Sequence, residues 1–445
     1  MTQSAFRKTF NAMAMATGLT MALTLPATVQ ATDAPQPEGV DESLPPRLPL
    51  NELRLFAEAF NRVSSAYVEE IDDRTLLESA IRGMLSQLDP HSAYLDRETF
   101  SDLQENTTGN YGGVGLEVGM EDGFVKVIAP MDDTPAAKAG LQAGDLIIQL
   151  DDVPVKGMSL NEAIEAMRGE PGSEIRVTLI REGEPQPLEK VLVREIIEVA
   201  SVRQRLLDDG YGYIRIAQFQ SKTGAEVKKA VEKLTEEGKL SGLVLDLRNN
   251  PGGVLQAAVE VSDVFIDGGL IVYTSGRLSN SDLEYNATLP DLTDGVPVVV
   301  LVNEGTASAS EIVAGALQDH KRAVIMGVNT FGKGSVQTVL PLNNEKAIKL
   351  TTALYFTPNG RSIQAEGIVP DIWVDRSKIT REKQNPFRIK ERNLPGHLRN
   401  GNGREETDAS SEDDDSVDLA TRDFQLYEAL TLLKGMNILA RPDKG

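Results

Sequence analysis

Two serines, Ser308 and Ser310, stand one residue apart in VNEGTASASE (302–311), directly after the apolar run VPVVVL (296–301). An apolar run that ends in a polar, helix-favouring stretch places them where a buried strand turns into a helix. Backbone amides at a helix start carry partial positive charge, so a nucleophilic Ser308 would have an oxyanion donor beside it, the amide of Ala309. The same position equally suits a serine that only caps the helix. A nucleophile also needs a base, and His91, His320 and His397 are the only histidines. His320 follows Ser308 along the expected helix, roughly 18 Å away at about 1.5 Å per residue. His91 falls in a turn and His397 in a polar tail, and the text is not Gly-x-Ser-x-Gly. A histidine-dependent hydrolase is disfavoured.

A lysine is the other candidate. NTFGKGSVQTVLPL (329–342) sets Lys333 between Gly332 and Gly334, just ahead of a strand. A lysine acts as a base near neutrality only if its pKa falls by about three units from about 10.4, roughly 4 kcal/mol, which an apolar site can supply. The flanking glycines leave room for close packing around its stem. Gln337, four residues on, would share a face with Lys333 in a regular strand, and a neutral amide orients an amine without restabilising its charge. The alternative is a solvated loop lysine.

The elements that must position these groups are legible in outline. LRLFAEAFNRVSSAYV and TLLESAIRGMLSQL repeat apolar residues at helical spacing, and DPHSAYLD (89–96) interrupts them with a turn. A glycine-rich entry, TGNYGGVGLEVG (108–119), opens a compact unit of short helices and strands. From about Glu195 the strands GYGYIRIAQF, GLVLDLR, VPVVVLVN and RAVIMGV alternate with amphipathic helices, the pattern of an α/β layer with parallel strands. EETDASSEDDDSVD (405–418) is too acidic and too poor in apolar residues to build a core. The apolar helical face of RDFQLYEALTLLKGMNIL (422–439) needs a partner, either its own domain or another copy in an oligomer.

Between Asn110 and Ile197 the text resembles a PDZ domain of the bacterial protease type, carried by GGVGLEV (112–118), TPAAKAGLQAGDLIIQLDD (134–152) and SLNEAIEAMRGEPGS (159–173). Gly113, Val114, Gly115 and Leu116 are the expected carboxylate-binding loop, because a glycine-rich turn can aim several amides at an anion. The strand beginning at Leu116 would add a peptide at its edge. Arg168, in the MRGEPG turn, is a candidate contact between this unit and a catalytic core.

VNEGTASASEIVAGALQD, GVNTFGKGSVQ, DLRNNPGG, RSIQAEGIVPDI and DPHSAYLD together resemble the C-terminal processing (tail-specific) protease family, over about Leu53 to Asp375. The resemblance implies a crotonase-like α/β protease core with an inserted PDZ domain, an N-terminal helical region and a C-terminal helix. Carried over by position, Ser308 is the nucleophile, Lys333 the general base and Gln337 the orienting residue. Gly252 or Gly253 of NNPGG gives a second oxyanion amide beside Ala309. Family descriptions sometimes add an acidic residue, here Asp319, although three helical turns separate it from Ser308. Thr306 stands where the family often has serine. No metal or cofactor is implied.

The expected partition is a signal peptide (1–31), linker (32–49), N-terminal helical region (50–107), PDZ domain (108–197), protease core (198–378), acidic linker (379–421) and C-terminal helix (422–445). Arg7 and Lys8, the apolar stretch 12–27 and the small residues of VQA (29–31) form the pattern of a cleavable export signal. The expectation is therefore an extracytoplasmic, periplasmic serine endopeptidase. Its partners would be protein substrates with unstructured C-termini, further copies of itself and an envelope adaptor protein. A formal net charge of −22 argues against nucleic acid. The absence of cysteine excludes disulfides and thiolate chemistry.

Overall fold

The computed structural model describes residues 49–278, 281–288, 290–343, 345–377, 396, 398 and 419–440. The expected signal peptide, most of the first linker, most of the acidic linker and His397 lie outside the described residues. The chain divides into two compact units, Met1–Leu76 and Leu77–Gly445. In the first, the amphipathic helix Leu50–Ala66 buries none of its residues, and Leu55 and Phe56 are exposed. The Asp72 carboxylate accepts from the Thr75 amide at 3.1 Å and so opens the next helix, Asp73–Ser86.

In the second unit, Asp89 ends the helical region. Its carboxylate accepts from the amides of His91 (2.7 Å) and Ser92 (2.9 Å) and from the Ser92 hydroxyl (2.7 Å), the local bonding that makes aspartate a turn former. A further helix, Arg97–Thr108, starts at the N-cap Asp96, whose side chain accepts from the Thr99 amide. It falls within the helical region expected over 50–107, although its own residues are mostly polar.

The PDZ-like region is an antiparallel sheet in the order Leu116–Glu121, Phe124–Pro130, Leu146–Leu150, Glu174–Ile180, Leu188–Val193, with the helix Leu160–Met167 packed on it. Val125, Val127, Ile147, Ile175, Val177 and Leu179 form its dry centre. Ser159 and Glu162 satisfy one another's amides at the helix start, at 3.3 and 2.7 Å.

The catalytic-core region is built on a six-stranded sheet ordered Val202–Asp208, Tyr211–Ile216, Gly242–Asp246, Val298–Val302, Ala323–Gly327, Ile372–Trp373. The first pair is antiparallel and every later pair is parallel. Gly242–Asp246 and Val298–Val302 are buried throughout, as central strands covered on both faces must be. Alternation assigns the faces. Leu243, Leu245, Val298 and Val300 join the helices Thr223–Glu236, Leu255–Asp263 and Ala309–Asp319 in the main core. Val244, Val299, Leu301 and Met326 face the other way, against Leu426, Ala429 and Leu433 of the helix Phe424–Ala440. The C-terminal helix thus finds its partner on its own sheet, which settles the open choice between its own domain and an oligomer partner for this face. A second, antiparallel sheet joins Ala93–Leu95, Ala347–Phe356, Gly269–Gly276 and Leu283–Ala287, with Ser335–Pro341 also paired to Ala347–Phe356.

Candidate active site

Ser308 sits between the strand Val298–Val302 and the helix Ala309–Asp319, with φ 56° and ψ −116°. That conformation is costly for a residue with a Cβ and persists only where surroundings impose it. Ser308 is the N-cap residue, and the Glu311 carboxylate, three residues on, accepts from its amide at 2.7 Å. The Glu311 amide donates back to the Ser308 carbonyl, at 2.8 Å. Ser308 lines a cleft of about 490 Å³ that also holds Lys333, Gln337, Ala309, Gly252 and Gly253, and its side chain hydrogen-bonds the Tyr355 side chain. Ser310, by contrast, is fully buried and donates its hydroxyl to the Asn250 carbonyl at 3.1 Å. Thr306 is buried too, donating to the Leu247 carbonyl at 2.8 Å.

The NNPGG loop folds directly against Ser308. Gly252 has φ 98°, and a Cβ there would meet the Ala307 carbonyl oxygen at 2.7 Å and the Ala309 amide at 2.9 Å. Gly253 has φ 141°, and a Cβ there would strike the Phe219 carbonyl at 2.0 Å. Glycine is obligatory at both. The Gly252 amide is engaged by the Asn250 side-chain oxygen at 2.9 Å. Among the described residues the amides of Gly253 and Ala309 have no acceptor. Of the two glycines, Gly253 therefore has the donor free for an oxyanion, and Gly252 serves by its shape.

Lys333 is half-buried just before the strand Ser335–Pro341. Burial, then the nearby Lys349 charge, hold its ammonium below the ordinary lysine range, while Asp89 and Glu311 pull the other way. Among the described residues Ser308 and Lys333 share no side-chain hydrogen bond, and what joins their loops is Glu311. This fully buried carboxylate accepts from the amides of Ser308 (2.7 Å), Gly332 (2.7 Å) and Lys333 (2.9 Å) and from the Thr330 hydroxyl (2.5 Å). Burial raises its pKa, and those donors lower it. Sequence reasoning missed Glu311. Its signal was the Ser-x-x-Glu spacing of a helix start, which names the carboxylate three residues into the helix. Tyr355, also unnoticed, is buried with its hydroxyl donating to the Lys333 carbonyl.

Gln337 lines the same cleft but not by simple alternation. A bulge falls between Val336 and Gln337, and the Gln337 amide nitrogen donates to the Ser335 hydroxyl at 2.9 Å. Asp319 is elsewhere: its carboxylate pairs with Arg361 and accepts from the Asn359 amide at 2.9 Å. These contacts tie Asp319 to the 359–361 turn and away from the cleft beside Ser308. His320 closes the same helix with Nε2 on the Leu270 carbonyl at 2.7 Å. His91 stands near enough to Lys333 for the lysine charge, after burial, to lower its pKa.

In the PDZ-like region Gly113, Val114, Gly115 and Leu116 line a groove of about 210 Å³ whose floor is Val118, Ile164 and Met167. Among the described residues the amides of Val114 and Gly115 have no acceptor, as a carboxylate nest requires. Arg168 lies at the mouth. Its Nη1 donates to Glu105 at 3.1 Å and lies 3.8 Å from Asp102, both on the Arg97–Thr108 helix, and its guanidinium is 5.3 Å from the Tyr111 ring centre. Leu103, Asn106 and Thr107 of that helix line the cleft beside Ser308, so Arg168 grips the helix that walls this cleft and makes its ion pairs there, on the N-terminal helical region.

Peptidase family S41 matches residues 210–374, a PDZ domain matches 126–181, and the N-terminal domain of the activating protease CtpB matches 12–99. A carboxy-terminal-processing protease of Bartonella bacilliformis is 47% identical over 86% of this chain and 88% of its own length. CtpA of Bacillus subtilis, a carboxy-terminal processing protease, is 35% identical over 71% of this chain and 67% of its own. Among solved structures, the photosystem II D1 C-terminal processing protease is 36% identical, covers 73% of this chain and 93% of that chain, and has a TM-score of 0.43. The chain belongs to the carboxy-terminal processing protease family and is a serine peptidase that carries a PDZ domain.

Proposed function

We propose that the protein is an exported endopeptidase that captures unstructured protein C-termini in its PDZ groove and cuts nearby peptide bonds with a Ser308–Lys333 dyad. The observation that carries this reading is the Glu311 clasp, which holds the serine and lysine loops at one cleft. Neutral Lys333 takes the Ser308 proton as the oxygen attacks the peptide carbonyl. The amides of Ala309 and Gly253 receive the oxyanion. Collapse of the tetrahedral intermediate breaks the C–N bond, and Lys333 returns the proton to the leaving amine. The acyl-enzyme is then hydrolysed by water that Lys333 deprotonates. Gln337 orients the amine from the cleft wall. A half-buried lysine flanked by Lys349 suits a base that must spend time uncharged.

The groove's apolar floor suits an apolar terminal residue, and Val114–Leu116 would hold the terminal carboxylate. The amino-terminal pattern of charge, apolar run and small residues supports export to the periplasm. Among the described residues no helix is long and apolar enough to cross a membrane. The exposed amphipathic helix Leu50–Ala66 suits self-association or an adaptor protein. The deciding experiment is cleavage of a peptide with an apolar, unstructured C-terminus by wild type, Ser308→Ala and Lys333→Ala, with serine trapping by a fluorophosphonate. Loss of cleavage in both variants, and of labelling in Ser308→Ala, supports the reading. Cleavage surviving in Ser308→Ala refutes it.

A further inference from the structure

The C-terminal helix reaches the catalytic loop through a charged tether. Arg248 stands between the strand Gly242–Asp246 and the NNPGG loop. On one side its Nε and Nη2 bind Asp246, at 3.0 and 2.7 Å. On the other its Nη1 and Nη2 bind both oxygens of Asp423, at 2.8 and 2.7 Å, and Nη1 also donates to Gln425 at 3.1 Å. Asp423 opens the helix Phe424–Ala440, accepting from the Leu426 amide at 3.1 Å. Asp246 is fully buried and also accepts from the Tyr213 hydroxyl at 2.8 Å. Two bidentate pairs fix a planar guanidinium in orientation as well as place. Downstream the loop is rigid by other means: Asn249 has φ 55° and is bonded to Asn303, and Asn250 donates to the Ile216 carbonyl at 2.9 Å. Arg248 is the first in this series of anchors, and what grips it sets where the 249–253 segment begins.

We propose that Asp423 is a positioning residue for the peptidase reaction: by gripping Arg248 it fixes the root of the 249–253 loop, and with it the Gly253 amide that receives the oxyanion. This rests on the oxyanion role given to Gly253 above. The C-terminal helix then belongs to the catalytic apparatus and is not only a cover for the sheet.

The test uses full-length Asp423→Asn, which keeps shape and removes charge. Its kcat on an unstructured peptide falls roughly 10- to 100-fold, the scale of small misplacements of catalytic groups, with KM within about twofold. Fluorophosphonate labelling of Ser308 slows in parallel, and Asp423→Glu recovers most of the loss. A helix that only covers apolar surface predicts a lower Tm with unchanged kcat per folded molecule, and wild-type kcat in folded Asp423→Asn overturns the proposal. If Asp423→Asn does not fold, Gln425→Ala removes a single acceptor from Arg248. A kcat lowered a few-fold there supports the tether, and a wild-type kcat overturns it. Ser308→Ala separates the two readings. If it is inactive while Asp423→Asn is fully active, only the tether fails, and if it still cleaves, the dyad itself fails.

Discussion

The groove of the PDZ region and the cleft beside Ser308 are made differently. The groove presents backbone amides at Val114 and Gly115 that have no acceptor among the described residues, over an apolar floor of Val118, Ile164 and Met167. The cleft is backed by buried polar groups, each satisfied by others: Glu311, Asn250, Thr306 and Thr330. Capture needs only an open sheet edge and a place for a side chain, which a small antiparallel domain supplies from local sequence. Catalysis needs atoms from distant segments held to a fraction of an ångström. Buried, fully satisfied hydrogen-bond networks provide that rigidity, and each member is costly to remove.

Disturbing the two regions therefore has unlike consequences. The largest effect is expected for Lys333→Ala, which lowers kcat by at least about a thousandfold while the protein stays folded, as measured by steady-state cleavage and circular dichroism. Activity near wild type in that variant would remove the lysine from the mechanism. Next is Glu311→Gln, which cannot accept from the amides of Ser308, Gly332 and Lys333 together. A kcat loss of roughly a hundredfold accompanies a stability loss of about 2 kcal/mol in urea titration. In the groove, Ile164→Asp raises KM about tenfold for a peptide with an apolar C-terminus and leaves kcat within about twofold. A change confined to kcat would erase the contrast between the regions. The smallest effect is expected for Asp319→Asn, whose kcat stays within about twofold because Asp319 serves Arg361 and Asn359 away from the cleft.

A pH profile sharpens the same contrast. The folded pKa of Lys333 is lowered by burial and by Lys349. kcat/KM should therefore rise with pH through a midpoint below the ordinary lysine value of about 10.4. The sign for stability follows: between the folded and unfolded values the unfolded chain binds the extra proton, so Lys333 lowers stability below that window and the penalty disappears as pH rises through it. A rate that falls over the same range would assign the titration to another group. PDZ-peptide affinity, measured by fluorescence anisotropy, should not follow this titration, since no lysine lines the groove.

Much of this was legible in the chain itself. Apolar runs gave the central strands, helical spacing gave the helices Thr223–Glu236 and Ala309–Asp319, and Pro-Gly-Gly marked a turn where only glycine fits. These are local signals, set by backbone sterics and by periodicity. The second antiparallel sheet was not foreseen, because strands such as Gly269–Gly276 and Ala347–Phe356 pair across long stretches of chain and carry no compact turn signature. Regular alternation would put Gln337 on the Lys333 face, but the bulge beside it exists only through pairing with Thr351 and Ala353, far along the chain.

Residue type and local pattern alone marked which groups could act: a serine at a strand-to-helix turn and a lysine between glycines. Which groups they meet was decided by the tertiary structure. Ser310 became a buried strut, Asp319 went to Arg361, the Gly252 amide met Asn250 while that of Gly253 has no acceptor among the described residues, and Glu311 joined two loops. The C-terminal helix settled on its own sheet and brought Asp423 to Arg248. The physical reason is that residue type fixes donors, acceptors and charge, whereas their partners depend on distances set by packing between segments far apart in the chain.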